Sequence, residues 1–135
     1  MFTCLDNTFL KSSLSDNIIK FEVIKASPND LEWISSKTIV DNWYDYIESA
    51  NIQVGMIFLL GNLIYIKPTF LLEWKEIFNS KREKTRKYII GTAIVVENAI
   101  IRTFVNTFFT NFNSERPVKF VKDEYSGKEF INSIK

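Results

Sequence analysis

Residues 88–96 read YIIGTAIVV, a run without a single charge. Residues 53–60, QVGMIFLL, are much the same. Each is too short for a transmembrane helix, which needs about 20 apolar residues. Each is apolar at odd and even positions alike, so both faces of a strand would be dry. Such strands are typical of the centre of a sheet in an α/β protein, where helices cover both sides. If the two runs are neighbouring strands, the segment between them is a crossover. That segment carries Lys67-Pro68-Thr69, then Phe70, Leu71, Trp74, Ile77 and Phe78 on one side of a predicted helix over 70–80. A polar connection, NSKREKTRK (79–87), leads to the second strand.

Further along, ENAIIRTFVNTFFTNFN (97–113) is predicted to be a helix with Asn98 as its cap. Ile101, Phe104, Val105, Phe108 and Phe112 form its apolar stripe, and Phe109 falls off it. RPVKFVKD (116–123) is a short alternating strand, and EYSGKEFINSIK (124–135) a last helix. Towards the start, TFLKSSLSDNIIKFEVIKA (8–26) alternates with period two on either side of Ser-Asp-Asn, which predicts a hairpin. Ser27 with Pro28 suits the start of a helix. Its predicted stripe is Leu31, Ile34, Val40, Trp43, Tyr44 and Ile47, with Asp41, Asp45 and Glu48 on a solvated face. The order is ββαβαβαβα. Strands alternating with helices imply parallel neighbours joined by right-handed crossovers. The expected fold class is α/β, one domain over 1–135 with a single mixed sheet of four to five strands and packed helices.

Composition excludes more functions than it suggests. The formal net charge is +1, so nothing argues for neutralising many phosphates, and no nucleic-acid partner is expected. There is no histidine, which removes His-based acid–base catalysis, His-Asp triads and His metal sites. The one cysteine, Cys4, cannot form an intramolecular disulfide and is expected to be inert in a reducing, cytoplasmic setting. The opening MFTCLDNTFLKSS lacks a basic stretch followed by an apolar one, so no secretory signal is expected. The longest apolar stretch, 54–66, is interrupted by Asn62, so no membrane span is expected either. No nucleophile–base pair, phosphate loop or metal-ligand cluster is visible. The expectation is a non-enzymatic protein without a cofactor or metal.

The pieces KREKTRK, YIIGTAIVV, NAIIRTFVNTFF, RPVKFVKD and EYSGKEFI, in that order, are also a family pattern. Together they resemble the STAS, or SpoIIAA-like, domains, best in the stand-alone STAS/SEC14-like branch, over nearly the whole chain. In the sigma-regulating members of that family a strand ends in Asp-Ser-Ser-Gly, and a partner kinase phosphorylates the second serine. The resemblance sets Lys67-Pro68-Thr69-Phe70 at that place, with Thr69 opposite the phosphorylated serine. Lys67 stands where the family has an acidic residue, and Phe70 where it has glycine.

Two roles are then open for Thr69: a first-turn or capping residue of the helix, or a phosphoacceptor beside the positive helix end and Lys67. The resemblance implies a regulatory protein-interaction module, binding a protein partner or a second copy as a homodimer. Its surface would comprise Lys67, Pro68, Phe70, Asn98, Arg102 and Phe109. Lys81, Arg82, Lys84, Arg86 and Lys87 are either solvated helix-end charges or an anion patch. Arg102 is either solvated or reaches an anion at the sheet edge. The Phe104–Phe108–Phe112 stripe is either core or the wall of an apolar-ligand cavity, which gives the alternative function, a small lipid-like ligand carrier.

Overall fold

The structure, a computed structural model, describes residues 5–109 and 115–134, without the side chains of Phe108 and Phe109. Cys4, Phe112 and the side chains of Phe108 and Phe109 therefore lie outside the described residues. The described elements are β1 (Leu10–Ser15), β2 (Ile18–Val23), α1 (Asp30–Ala50), β3 (Val54–Leu59) and α2 (Pro68–Ser80). They continue with α3 (Arg82–Tyr88), β4 (Ile89–Val95), α4 (Ala99–Phe109), β5 (Val118–Val121) and α5 (Glu124–Ser133).

The two apolar runs are strands β3 and β4, paired in parallel at the middle of a five-stranded sheet of order β1-β2-β3-β4-β5. β1 pairs antiparallel with β2, and every other pair is parallel, so the sheet is mixed. The hairpin turns at Asp16 and Asn17, with φ of 54° and 60°. A two-residue type I′ turn needs positive φ at both centres, and Asp and Asn tolerate it best after glycine.

Strands added always on the same side, with right-handed crossovers, put the crossover helices on one face. Accordingly α1 to α4 pack on one another, over the sheet face carrying Phe21, Met56, Phe58 and Ile94. Of the described elements α5 alone covers the other face, where Ile18, Ile57, Ala93, Val95 and Val121 meet Ile131. It comes close because two glycines give it room. A Cβ on Gly55 would stand 2.5 Å from Ile131 Cγ2, and one on Gly127 would stand 3.2 Å from Ala93 Cβ.

Three expectations are corrected. α1 is capped by Asn29, not Ser27: the Asn29 side chain accepts from the Glu32 N–H, and the Glu32 carboxylate accepts from the Asn29 N–H. Its buried stripe is Trp33, Ser36, Ile39, Val40, Trp43, Tyr44 and Ile47, whereas Leu31 and Ile34 are 79% and 56% exposed. The Trp33 indole buries more area than either aliphatic side chain and stacks on Phe70 at 4.8 Å, which sets the rotation of the helix. The third concerns KREKTRK. It is not merely a polar connection but contains α3, so the order is ββαβααβαβα.

Candidate ligand cavity

Two register rows cross the helix-covered face of the sheet. One is Phe21, Phe58, Ile94 and Phe120, and the other is Ile19, Met56, Thr92 and Val118. Over β2 and β3 these rows are covered by α1 and α2. Phe58 lies flat on Phe21 at 4.7 Å and edge-on to Trp74 at 5.1 Å. Over β4 and β5 the cover from the described residues thins. β5 is four residues long, and its Val118 remains 42% exposed.

There a cavity of about 290 Å³ opens between sheet and helices. Phe58, Leu60, Thr92, Ile94, Val118 and Phe120 form its floor. Trp74 and Phe78 of α2 stand on one side, Val105 and Asn106 of α4 on another. Tyr44 and Thr85 close the end nearest α1, and Arg82, Glu115 and Arg116 reach it from α3 and the approach to β5. The lining is thus mainly aromatic and aliphatic, with its charge drawn from two adjoining segments. The Tyr44 hydroxyl is buried and bonded to the Thr85 hydroxyl at 2.8 Å; loss of water pushes its pKa up to about 12. Glu115 accepts from Arg86 at 2.6 Å and lies 3.6 Å from Arg82. The hydrogen bond from Arg86 holds the Glu115 carboxyl below its usual range. Arg116 donates through Nε (3.0 Å) and Nη2 to the carbonyl of Arg86.

Two other hollows are less suited to a ligand. One, of about 40 Å³, lies among Trp33, Val40, Leu63 and Ile77 and has the bulk of about one water molecule. The other, of about 250 Å³, sits at the carboxyl ends of β2 to β5 beside Glu22, Glu97, Lys122, Asp123 and Glu124. Among the described residues no group of three or more His, Cys, Asp or Glu is placed to hold a metal ion.

The residues singled out in the sequence are dispersed. Lys67 is the N-cap position of α2, Pro68 its first residue, and no side chain caps it, so Thr69 is an exposed first-turn residue rather than the cap. Lys67 pairs with Asp30 at 3.2 Å and lies over the Phe70 ring at 5.1 Å. Phe70 itself is a core residue, 7% exposed, and is withdrawn from the expected partner surface because its ring is stacked on Trp33. Asn98 caps α4 as expected, accepting from the N–H groups of Ile100 and Ile101 at 2.8 and 3.2 Å. Arg102 donates to the Val96 carbonyl at 2.7 Å, tying α4 to the end of β4.

The expected anion patch is largely compensated from within. Lys81 pairs with Asp41 at 3.0 Å, and Lys84 with Glu48 and Asp45 at 3.2 and 3.5 Å. Arg82 and Arg86 share Glu115, and Lys87 lies over the Tyr88 ring at 5.4 Å. The acidic residues expected on a solvated face of α1 are therefore the counter-charges of Lys81 and Lys84. Of the described cavity residues, Arg82 alone belonged to an expected site. Thr85, Thr92, Glu115, Arg116 and Phe120 carry no sequence signal, because they converge only after the crossovers are made.

A scan of protein-family models finds no match to this chain, and a search of curated proteins finds none either. Among solved structures, an uncharacterized protein of the DUF3478 family from Shewanella loihica PV-4 is similar, and it is described as having a SpoIIAA-like fold. The TM-score is 0.62 at 7% sequence identity, over 90% of this chain and 91% of that one. With a single mixed sheet and, among the described residues, four helices on one face and one on the other, this chain has the SpoIIAA-like fold.

Proposed function

We propose that this protein is a non-enzymatic binding module that holds a small, mostly apolar ligand in the cavity over β4 and β5. One observation carries the proposal: an opening of about 290 Å³ lined by Phe58, Leu60, Trp74, Phe78, Ile94, Val105 and Phe120. Small-molecule sites are typically apolar hollows with a few polar groups, from about 300 Å³ upward. An apolar ligand entering such a space removes its own surface and the lining from water, worth roughly 25 cal/mol per Å². The setting proposed is cytoplasmic; no helix among the described residues is long and apolar enough to cross a membrane. Native mass spectrometry of protein purified from its own host tests the proposal. A bound small molecule is expected, and it should be lost from Val118→Trp, which fills the floor from a half-exposed position. Protein that is ligand-free in both forms, and that takes up no apolar probe, overturns it.

A second reading, a protein-interaction module switched by phosphorylation at Thr69, is favoured by the exposure of Lys67, Pro68 and Thr69 at the start of α2. A phosphate there would gain from the helix N-terminus and from Lys67. The partner would be another protein or a second copy of this chain. Phosphate mapped to Thr69 in host-derived protein, with a partner lost on Thr69→Glu, is the expected result. Unmodified Thr69 and unchanged assembly in the variant count against it.

A further inference from the structure

We infer that the ligand is a planar aromatic acid about two fused rings in bulk, held with its anionic group towards Arg82 and Arg116. The inference rests on the cavity reading and adds the chemistry of the occupant.

Size comes first. A cavity of about 150 Å³ lined by aliphatic and aromatic groups takes one benzene. This one, at about 290 Å³, is near twice that. It is too small to enclose a two-chain lipid, and it sits at the lower limit of drug-sized sites.

Shape comes second. The interior is bordered by ring systems set at steep angles to one another: Phe58 to Trp74 at 61°, and Phe58 to Phe78 at 84°. Phe120 adds a third phenyl ring in register with Phe58 and Ile94. A flat guest can meet such walls both face-on and edge-on, the two favourable aromatic geometries. A flexible chain gains less from them and loses more rotamer freedom on binding.

Charge comes third. Arg82, Arg86 and Arg116 converge on one side, where Arg82 and Arg86 share the Glu115 carboxylate and Arg116 donates to the Arg86 carbonyl. Glu83 also acts on Arg86, and the group is still net positive. Arg116 has no carboxylate partner among the described residues. Its Nε and Nη2 are bonded to the Arg86 carbonyl, and a guanidinium carries five N–H donors, so donors remain. Among the described residues no carboxylate other than Glu115 lines the cavity. An anion at this end meets attraction and a planar donor group suited to carboxylate, whereas a cation meets repulsion.

The test uses three probes with one body: 2-naphthoate, 2-naphthalenemethanol and 2-naphthylmethylammonium, titrated calorimetrically into the full chain. Naphthoate is expected to bind about tenfold tighter than the alcohol, as charge-assisted hydrogen bonds are the stronger kind, and the cation weakest. Arg116→Gln and Arg82→Gln should each bring naphthoate towards the alcohol while leaving the alcohol unchanged; unaltered thermal melts confirm that both variants fold. Val118→Trp should weaken all three probes. Equal binding of the three probes, or preference for the cation, overturns the inference and leaves the cavity reading intact. So does naphthoate binding that ignores both arginine variants. No binding of any probe overturns the inference together with the cavity reading.

Discussion

The Tyr44 hydroxyl of α1 and the Thr85 hydroxyl of α3 meet at 2.8 Å, where the first helix closes one end of the cavity. This bond joins residues 41 positions apart and lets a phenol be buried without losing its partner. Tyr44→Phe is expected to cost about 0.5–1.5 kcal/mol in chemical denaturation, the net worth of one such bond. Alkali adds a second readout. The unfolded tyrosine ionises near its ordinary value of 10.0, and the native one near 12. Stability is therefore unaffected by this group below pH 10 and falls from there towards pH 12. The variant should lose that part of the alkaline decline.

On the acid side, Glu32 is the buried carboxylate that contributes. Its carboxylate takes Lys25 at 2.8 and 3.0 Å, the Thr8 hydroxyl and the Asn29 N–H, and the hydrogen bond from Lys25 leads in lowering its pKa from 4.5 to about 2. The unfolded chain binds this proton at higher pH than the native one. The contribution is complete above about pH 4.5 and is lost as pH falls towards 2. Glu32→Gln is expected to cost about 1–2 kcal/mol at neutral pH through the capping box, and to flatten the acid limb of stability against pH.

Neighbours Thr69 and Phe70 should behave in opposite ways. Phe70→Ala removes a buried ring stacked on Trp33 and is expected to cost about 3–5 kcal/mol. Thr69→Ala changes an exposed first-turn side chain and should stay within about 0.5 kcal/mol of the parent. Equal losses in urea unfolding would mean that the start of α2 is packed otherwise.

Gly55→Ala tests how closely α5 lies on the sheet. The new methyl would meet Ile131 Cγ2 at 2.5 Å, so overpacking of about 1–3 kcal/mol is expected. Ile131→Ala opens space at the same point. Combined with Gly55→Ala it should cost less than the two single losses added together, a coupling read from a double-mutant cycle.

The ion pairs of α3 should matter little one at a time. Lys84→Ala removes contacts to Glu48 and Asp45 on an exposed flank, and is expected to lower stability by less than about 1 kcal/mol, less still at high salt.

What could be read beforehand was local. β3 and β4 were legible because their apolar runs need two dry faces, and the hairpin because Ser-Asp-Asn interrupts a period-two pattern. Asn98 was legible as a cap from its place before an apolar stripe. The phase of α1 was not. Leu31 and Ile34 fit a helical spacing as well as Trp33 does, and the choice is made by Phe70, far along the chain. α3 was missed because its residues give little stripe of their own; its charges find partners on α1 and at Glu115. The cavity was least legible, since its lining runs from Tyr44 to Phe120 through seven elements and the approach to β5. Arginines at 82 and 116 become neighbours only when β4 and β5 lie side by side.

The sheet's strands stand in space in the same sequence as they are synthesised. Each new strand docks beside the one made just before it, and none has to wait for a later strand to slot between earlier ones. A nascent chain leaving the ribosome N-terminus first can therefore build this sheet progressively. The last described helix is the exception, since it is the described element that blankets the second face. Until Ile131 is made, Ile18, Ile57 and Val95 stay wet, and a translation product stopped after β5 would display that greasy strip to proteases and to its own kind.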